Sequence, residues 1–196
     1  MKKLLLIVSL TLVVFWVWSM PALAESPTAY ARGILDKVMS LQNDASLSNQ
    51  ARATAIHGII ERSFDFPMMA KNSLGSTYDS IGGGQRQEFT RTFSYLFQDS
   101  YTRLVLNFLK KENIQYSAIR QEGGKARADT TIVRPNEKIP VTYLMHTAPQ
   151  GWILYDVIVD GVSILHNYQT QFGQVIRSKS FEFLLNKMQE QRRAIQ

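Results

Sequence analysis

The chain has no cysteine among its 196 residues. Disulfides and thiol nucleophiles are therefore excluded, and stability has to come from an adequate apolar core. Histidine is scarce too: His57, His146 and His166 are the only three. None stands four residues from another or in an acid cluster, so the usual spacing of a metal site is missing. There is no G-x-S-x-G elbow. The one glycine run, Gly82-Gly83-Gly84, lacks the Lys-Ser/Thr of a phosphate-binding loop and follows no strand, so it reads as a joint before a helix. Internal repeats and low-complexity tracts are absent. Beyond Met20 no apolar run is long enough to span a bilayer. Acids are the minority charge, 16 against 22 Lys and Arg, giving a formal charge of +6.

The first residues carry the one long apolar run. Lys2 and Lys3 precede Leu4 to Met20, Pro21 breaks the run, and Ala22-Leu23-Ala24 follows. A basic start, an apolar middle and an A-x-A end make a secretory signal. This predicts a signal peptide over 1–24, cleaved after Ala24, and a single domain over 25–196. The competing reading is an uncleaved anchor, since the run is near the lower limit for a span. Export to a compartment without nucleic acid removes the simplest role for a basic chain. The cations are scattered, which suits a solvated surface, with anionic headgroups or acidic docking faces as the functional alternative.

Hydrophobic spacing predicts helices first. Ile34, Leu35, Val38 and Met39 form a helical stripe within Tyr30 to Leu41. Ser48 is placed to cap a second helix, with Ala51, Ala55, Ile59 and Ile60 inward. Pro67 belongs in the first turn of a short helix that ends at Gly75. Gln85 to Lys111 is the longest helix, and Phe89, Phe93, Phe97, Tyr101, Val105 and Phe108 run along it as one stripe.

Then the period changes. Asn113 to Gln121 and Lys125 to Arg134 read as strands joined at Gly123-Gly124. Pro140 to Thr147 alternates Val141, Tyr143 and Met145 against Thr142, Leu144 and His146. Trp152 to Val159 is apolar on both sides apart from Asp156, which predicts cover on both faces. Ile164, Tyr168, Phe172 and Ile176 step by four along a helix. Ser180 is set to cap a last one with Phe181, Leu184, Leu185 and Met188 inward. Helices, an antiparallel meander and helices again make an α+β fold with about four strands.

Residues Trp152, Asp156, Gly161, Val162, Ser163, Asn167, Tyr168, Gln171 and Phe172 fit W-x-x-x-D followed by G-V-S-x-x-x-N-Y-x-x-Q-F. A second block, Phe64 to Tyr101, supplies F-D-F-x-x-M-A, then Leu74-Gly75, then Q-R-x-E-F with Phe93 and Tyr101 beyond. Together they resemble the MlaC family, periplasmic toluene-tolerance auxiliary proteins that ferry phospholipid between the two membranes of Gram-negative bacteria. Tyr78 stands where that family commonly has Trp, and Gln169 where it usually has Arg.

The resemblance implies an NTF2-like curved sheet, antiparallel or mixed, with helices enclosing an apolar lipid pocket. It implies phospholipid as cargo and no cofactor, no catalytic residue and no metal. The partners it implies are an inner-membrane ABC-transporter complex with an MCE-domain ring and an outer-membrane lipoprotein bound to a porin, met by a monomer. The candidate pocket lining is Phe89, Phe93, Phe97, Tyr101 and Val105 from the long helix, Tyr143, Met145, Tyr155 and Val157 from the strands, and Tyr168 and Phe172 from the helix after them. A stripe of this kind on its own is more often core than cavity wall.

Two other readings stay open. A paralogue of the same family would carry a rigid hopanoid. An isomerase or hydratase on an NTF2-like scaffold would use a buried acid or imidazole with a tyrosine, drawn from Tyr143, Tyr155, Asp156, Asp160, His146 and His166. The plainer role for Asp156 is a buried carboxylate that finds backbone or Arg donors and fixes the fold.

Overall fold

The computed structural model describes residues 26–110 and 112–195. The expected signal peptide lies outside the described residues. Seven helices and five strands follow in the order α1 (Pro27–Asn43), α2 (Asn49–Ser63), α3 (Phe66–Leu74), α4 (Ser76–Ser80), α5 (Gly83–Phe108), β1 (Asn113–Glu122), β2 (Lys125–Arg134), β3 (Glu137–Ala148), β4 (Gly151–Val159), β5 (Val162–Ser163), α6 (Ile164–Ser178) and α7 (Phe181–Ile195). The strands pair in chain order as an antiparallel meander. The sheet is wholly antiparallel; the short β5 is the strand that hydrophobic spacing had not separated from the helix after it.

Local chemistry places the helix starts. Ser26, Ser48 and Ser163 each accept a hydrogen bond from a first-turn backbone N–H, as does the carboxylate of Asp65 at α3. Ser180 does the same for Phe183 N–H at 3.1 Å. Such caps satisfy donors that have no partner within the helix. Gly75 ends α3 with φ +56°, a left-handed conformation that suits glycine, and α4 starts at once beyond it. The glycine run is not a joint. Gly83 and Gly84 form the first turn of α5, and the side chain of Gln85 turns back to accept from Gly82 N–H at 3.0 Å.

The helices cover one face of the sheet. β2 shows why: Ala126, Ala128, Thr130 and Ile132 are buried and alternate with exposed or half-buried neighbours. Ile139, Val141, Tyr143 and Met145 continue that face on β3. On the other side Arg127, Asp129 and Thr142 bond one another. On β4 Ile153, Tyr155 and Ile158 are only half-buried, so the expectation that β4 is covered on both faces is corrected. The register slips at Tyr155, so that Met145 pairs with Leu154 but Tyr143 with Val157. The bulge switches which side chains face the helices, from even to odd positions, and makes the strand read as apolar throughout.

Other boundaries moved for stated reasons. β3 starts before Pro140, which lies just past the last β3–β4 pair, Val141 with Val159, where no ladder N–H is needed. Its carbonyl accepts from Asp160 N–H at 2.9 Å. Asp160 and Gly161 take φ +49° and +79° and close the β4–β5 hairpin. On α2 Ala51 is exposed, and Ile56 is the fully buried residue beside Ile60. The Phe64–Asp65 junction docks on the free edge of β4, with Asp65 N–H donating to Leu154 O at 2.8 Å.

Candidate functional site

The aromatic stripe of α5 divides in two. Its N-terminal half is packed solid. Phe89, Phe93 and Phe97 are almost wholly enclosed. Phe89 meets Phe172 and Phe181 edge-on or tilted at 5.8 and 6.0 Å. Phe93 meets Tyr168 at 5.4 Å and Phe172 at 6.3 Å. Phe97 contacts Phe64, Phe66 and Tyr101 at 5.4 to 5.8 Å. Ring pairs at these separations add to the area they bury.

The C-terminal half faces the sheet and leaves space. Tyr101, Val105 and Leu109 meet Tyr143 across two narrow apolar voids. One, of about 30 Å³, is closed by Leu35 and Val38 of α1, Ile60 of α2 and Leu154 of β4. The other, of about 20 Å³, is closed by Leu104, Phe108 and Val157. Each shares walls with a surface cleft. Ile34, Ile59 and Ser63 separate the first void from a groove of about 230 Å³ between α1 and α2. Tyr101 and Leu104 separate the second from a cleft of about 270 Å³ between α5 and α6, which also touches Phe97 and Tyr168. The two voids on the helix–sheet seam thus lie between the α1–α2 groove and the α5–α6 cleft in a row of four spaces.

Of the expected lining residues, Tyr101, Val105, Tyr143 and Val157 bound the inner voids, and Phe97 and Tyr168 bound the α5–α6 cleft. Phe89, Phe93 and Phe172 lie in the ring cluster, and Met145 is fully enclosed on β3. Tyr155 sits at the bulge, half-buried, with its ring 5.9 Å from that of His146. Leu154, Leu109 and the α1 residues were not anticipated as wall. Leu154 was hidden by the bulge, and Leu109 by the extended backbone that ends α5 there instead of at Lys111. Asn167 and Gln171, which line the α5–α6 cleft, were visible only as members of a motif.

Burial governs the ionisable groups of the seam. It pushes the hydroxyls of Tyr101 and Tyr143 far above the usual phenol range, and the nearby charge of Asp156 adds to the rise at Tyr101. Both stay neutral hydroxyls at any physiological pH. Asp156 itself is saturated. One oxygen accepts from Val157 N–H at 2.8 Å and from Leu165 N–H at 3.0 Å, and the other from Ser163 Oγ at 2.6 Å. Ser163 Oγ in turn accepts from His166 N–H at 2.9 Å. The carboxylate of β4 therefore anchors the first turn of α6, where a negative charge suits the helix dipole.

The other acid–base residues are dispersed. The Nε2 of His146 lies 2.9 Å from a carboxylate oxygen of Asp65, clasping the helical layer to β3. Asp160 is in the hairpin turn, and His166 is exposed on the first turn of α6. Asp156 and His166 line one surface pocket of about 470 Å³ with Lys71, Asp79 and Gln169, while His146 and Tyr143 lie outside it. Among the described residues no group of three or more His, Asp or Glu is placed to hold a metal ion. No described helix is long and apolar enough to cross a membrane.

Fold and seam define a class of protein: an α+β domain in which a helical layer meets one antiparallel sheet across two apolar voids. The family model described as MlaC protein matches residues 32–190, and the chain belongs to that family. A curated relative from Haemophilus influenzae, the "Intermembrane phospholipid transport system binding protein MlaC", is 24% identical over 123 residues, 60% of this chain and 57% of the relative. The chain thus spans less than two thirds of that relative. A solved structure of a phospholipid-binding protein from Ralstonia solanacearum, in complex with a phospholipid, superposes with a TM-score of 0.74. It is 19% identical, and the match covers 87% of this chain and 98% of that one. At that identity the likeness is one of fold.

Proposed function

We propose that this chain is a periplasmic phospholipid carrier that shuttles lipid between inner- and outer-membrane complexes and helps maintain the lipid asymmetry of the outer membrane, with no catalytic step. The supporting observation is the pair of apolar voids along the helix–sheet seam, each adjoining a surface cleft, in a chain of the MlaC family. Two acyl chains hold roughly 30 methylenes at ~0.8 kcal/mol each, so moving a phospholipid from bilayer to water costs on the order of 20–25 kcal/mol. A carrier has to replace that burial.

The two inner voids are each only large enough for about one water, whereas a ligand cavity spans roughly 300–1,000 Å³. Loading therefore requires the helices to part from the sheet. The seam at Tyr101, Val105 and Tyr143 is the natural place, because little dispersion energy is lost where packing is already incomplete. The Asp156 anchor would hold the first turn of α6 on β4 while the seam opens elsewhere. In this reading residues 25–196 form the exported domain, released by cleavage after Ala24, and the partners are the transporter with its MCE-domain ring and the outer-membrane lipoprotein with its porin.

The test is organic extraction of protein purified without denaturant, together with uptake from phospholipid vesicles. Near-stoichiometric phospholipid is expected. Protein that is lipid-free and takes up none would end the carrier reading, and recovery of a polycyclic lipid would redirect it.

A further inference from the structure

The two surface clefts that end the row of spaces differ in charge. The α5–α6 cleft presents Ser100, Asn167 and Gln171 as its polar residues, and Gln171 donates to Asn167 at 3.0 Å. It has no cation. The α1–α2 groove presents Lys37 and Arg62. Both are exposed, and neither forms an ion pair with an acid among the described residues. The neighbouring carboxylate of Asp36 is engaged instead by the hydroxyl of Tyr116 at 3.2 Å. Six other described Lys and Arg residues pair with acids, among them Arg134 with Glu112 and Glu137, and Arg127 with Asp129.

Two helical glycines lie at or beside this groove. Gly33 lines it, and a Cβ there would meet nothing within 4 Å. A Cβ at Gly58 would make only an ordinary contact of 3.4 Å with the guanidinium of Arg62. Behind the groove the shared walls Ile34, Ile59 and Ser63 give on to the apolar void at Tyr101 and Tyr143.

We infer that the α1–α2 groove is the mouth that holds the phosphodiester of a glycerophospholipid. Lys37 and Arg62 contact the phosphate oxygens, and the acyl chains run inward along the seam towards the α5–α6 cleft. Charge-assisted contacts from ammonium and guanidinium are the natural grip on a phosphate that stays in water while the chains are buried. This rests on the carrier reading and adds which end of the seam is the polar one.

The absence of cysteine allows a direct test. Gly33→Cys and Gln171→Cys proteins are loaded from phosphatidylcholine vesicles doped with a maleimide-headgroup phosphatidylethanolamine. Each labelling rate is normalised to that with a soluble maleimide. Labelling at Gly33→Cys is expected to be faster by about tenfold or more, since the reactive headgroup is held at that mouth. Equal rates, no labelling at either site, or faster labelling at Gln171→Cys overturns the assignment even if wild-type protein is lipid-loaded. In parallel, Lys37→Glu/Arg62→Glu is expected to lower phosphatidylglycerol uptake by about tenfold and to leave diacylglycerol uptake near wild type. An equal loss of both lipids assigns the effect to the fold and overturns the phosphate role. A wild-type protein that takes up no phospholipid overturns the carrier reading, and this inference with it.

Discussion

The two halves of α5 carry the same sequence pattern and pack in opposite ways. Phe89, Phe93 and Phe97 lock against rings from α3, α6 and α7, while Tyr101, Val105 and Leu109, farther along the same stripe, border unfilled space against the sheet. Periodicity identifies the buried face of a helix but not what lies opposite it. Opposite the first half are other helices, whose ridges interdigitate with the rings. Opposite the second half is a bulged, bent strand pair, Met145–Leu154 stepping to Tyr143–Val157, and a bent surface leaves gaps against a straight helix. The difference assigns the first half to stability and the second to the proposed cargo.

The sharpest way to break that division is truncation. Phe93→Ala removes a ring from a filled cluster and is expected to cost about 3–5 kcal/mol. Val105→Ala removes two methyl groups beside an existing void and should cost roughly 1–1.5 kcal/mol. Urea denaturation of the two variants measures both. A Val105→Ala cost as high as that of Phe93→Ala would mean that the seam is as solid as the cluster.

Asp156 links the halves, because it fixes α6, whose Tyr168 and Phe172 complete the ring cluster. Asp156→Asn loses the ionised acceptor that serves three donors and is expected to cost about 1–3 kcal/mol. A well-folded variant should still transfer phospholipid between vesicles within a few-fold of wild type. A drop of about 10²–10⁴-fold in turnover of some substrate, with lipid loading intact, would mean that the carboxylate is a general base.

Overpacking tests the seam from the other side. Val105→Phe places a ring into the spaces around Tyr101 and Tyr143. It is expected to cost under about 1–3 kcal/mol, the range for filling a solid core, and to lower phospholipid uptake strongly. A large fall in melting temperature with uptake per folded molecule unchanged would favour solid packing over a loading route.

Much of this was legible beforehand, and the reasons for the rest are local. The caps at Ser48 and Ser180 and the turns at Gly75 and Gly123-Gly124 are set by neighbouring residues, so a one-dimensional reading can reach them. The MlaC signature was legible for a related reason. Asp156 and Ser163 are hydrogen-bonded at the start of α6 across the turn that Gly161 makes, and their spacing is fixed by it. The bulge at Tyr155 was not legible, since it depends on pairing with β3, and it concealed Leu154 as a wall residue. Nor was the division of the stripe, which depends on which elements lie opposite. Lys37 and Arg62 were hidden for a third reason: exposed cations on two different helices have no linear signature until a groove brings them together.

The smallest expected effect concerns the latch that holds α1 over the seam. The ring of Tyr116 on β1 lies under Arg32, 4.3 Å from the guanidinium carbon, and its hydroxyl reaches Asp36 at 3.2 Å. Burial, with the Asp36 carboxylate beside it, pushes the phenol up to about 12. The folded value lies above the unfolded value near 10, so the folded state holds the proton more tightly. The associated stabilisation is complete below pH 10 and is lost as pH rises through about 12. Tyr116→Phe keeps the ring under Arg32 and removes the hydroxyl. At pH 7 it is expected to cost about 0.5 kcal/mol, at the low end for a hydrogen bond because the site is half exposed. Between pH 10 and 12 its stability should fall less steeply than that of wild type, although Tyr101 and Tyr143, also raised by burial, still titrate in both proteins. Thermal melts at intervals across that window measure the two slopes. Parallel slopes would mean that α1 is not latched through Tyr116, and that the helical lid is held by Gln42 of α1, whose amide donates to the carbonyls of Val105, Leu106 and Leu109 at the end of α5.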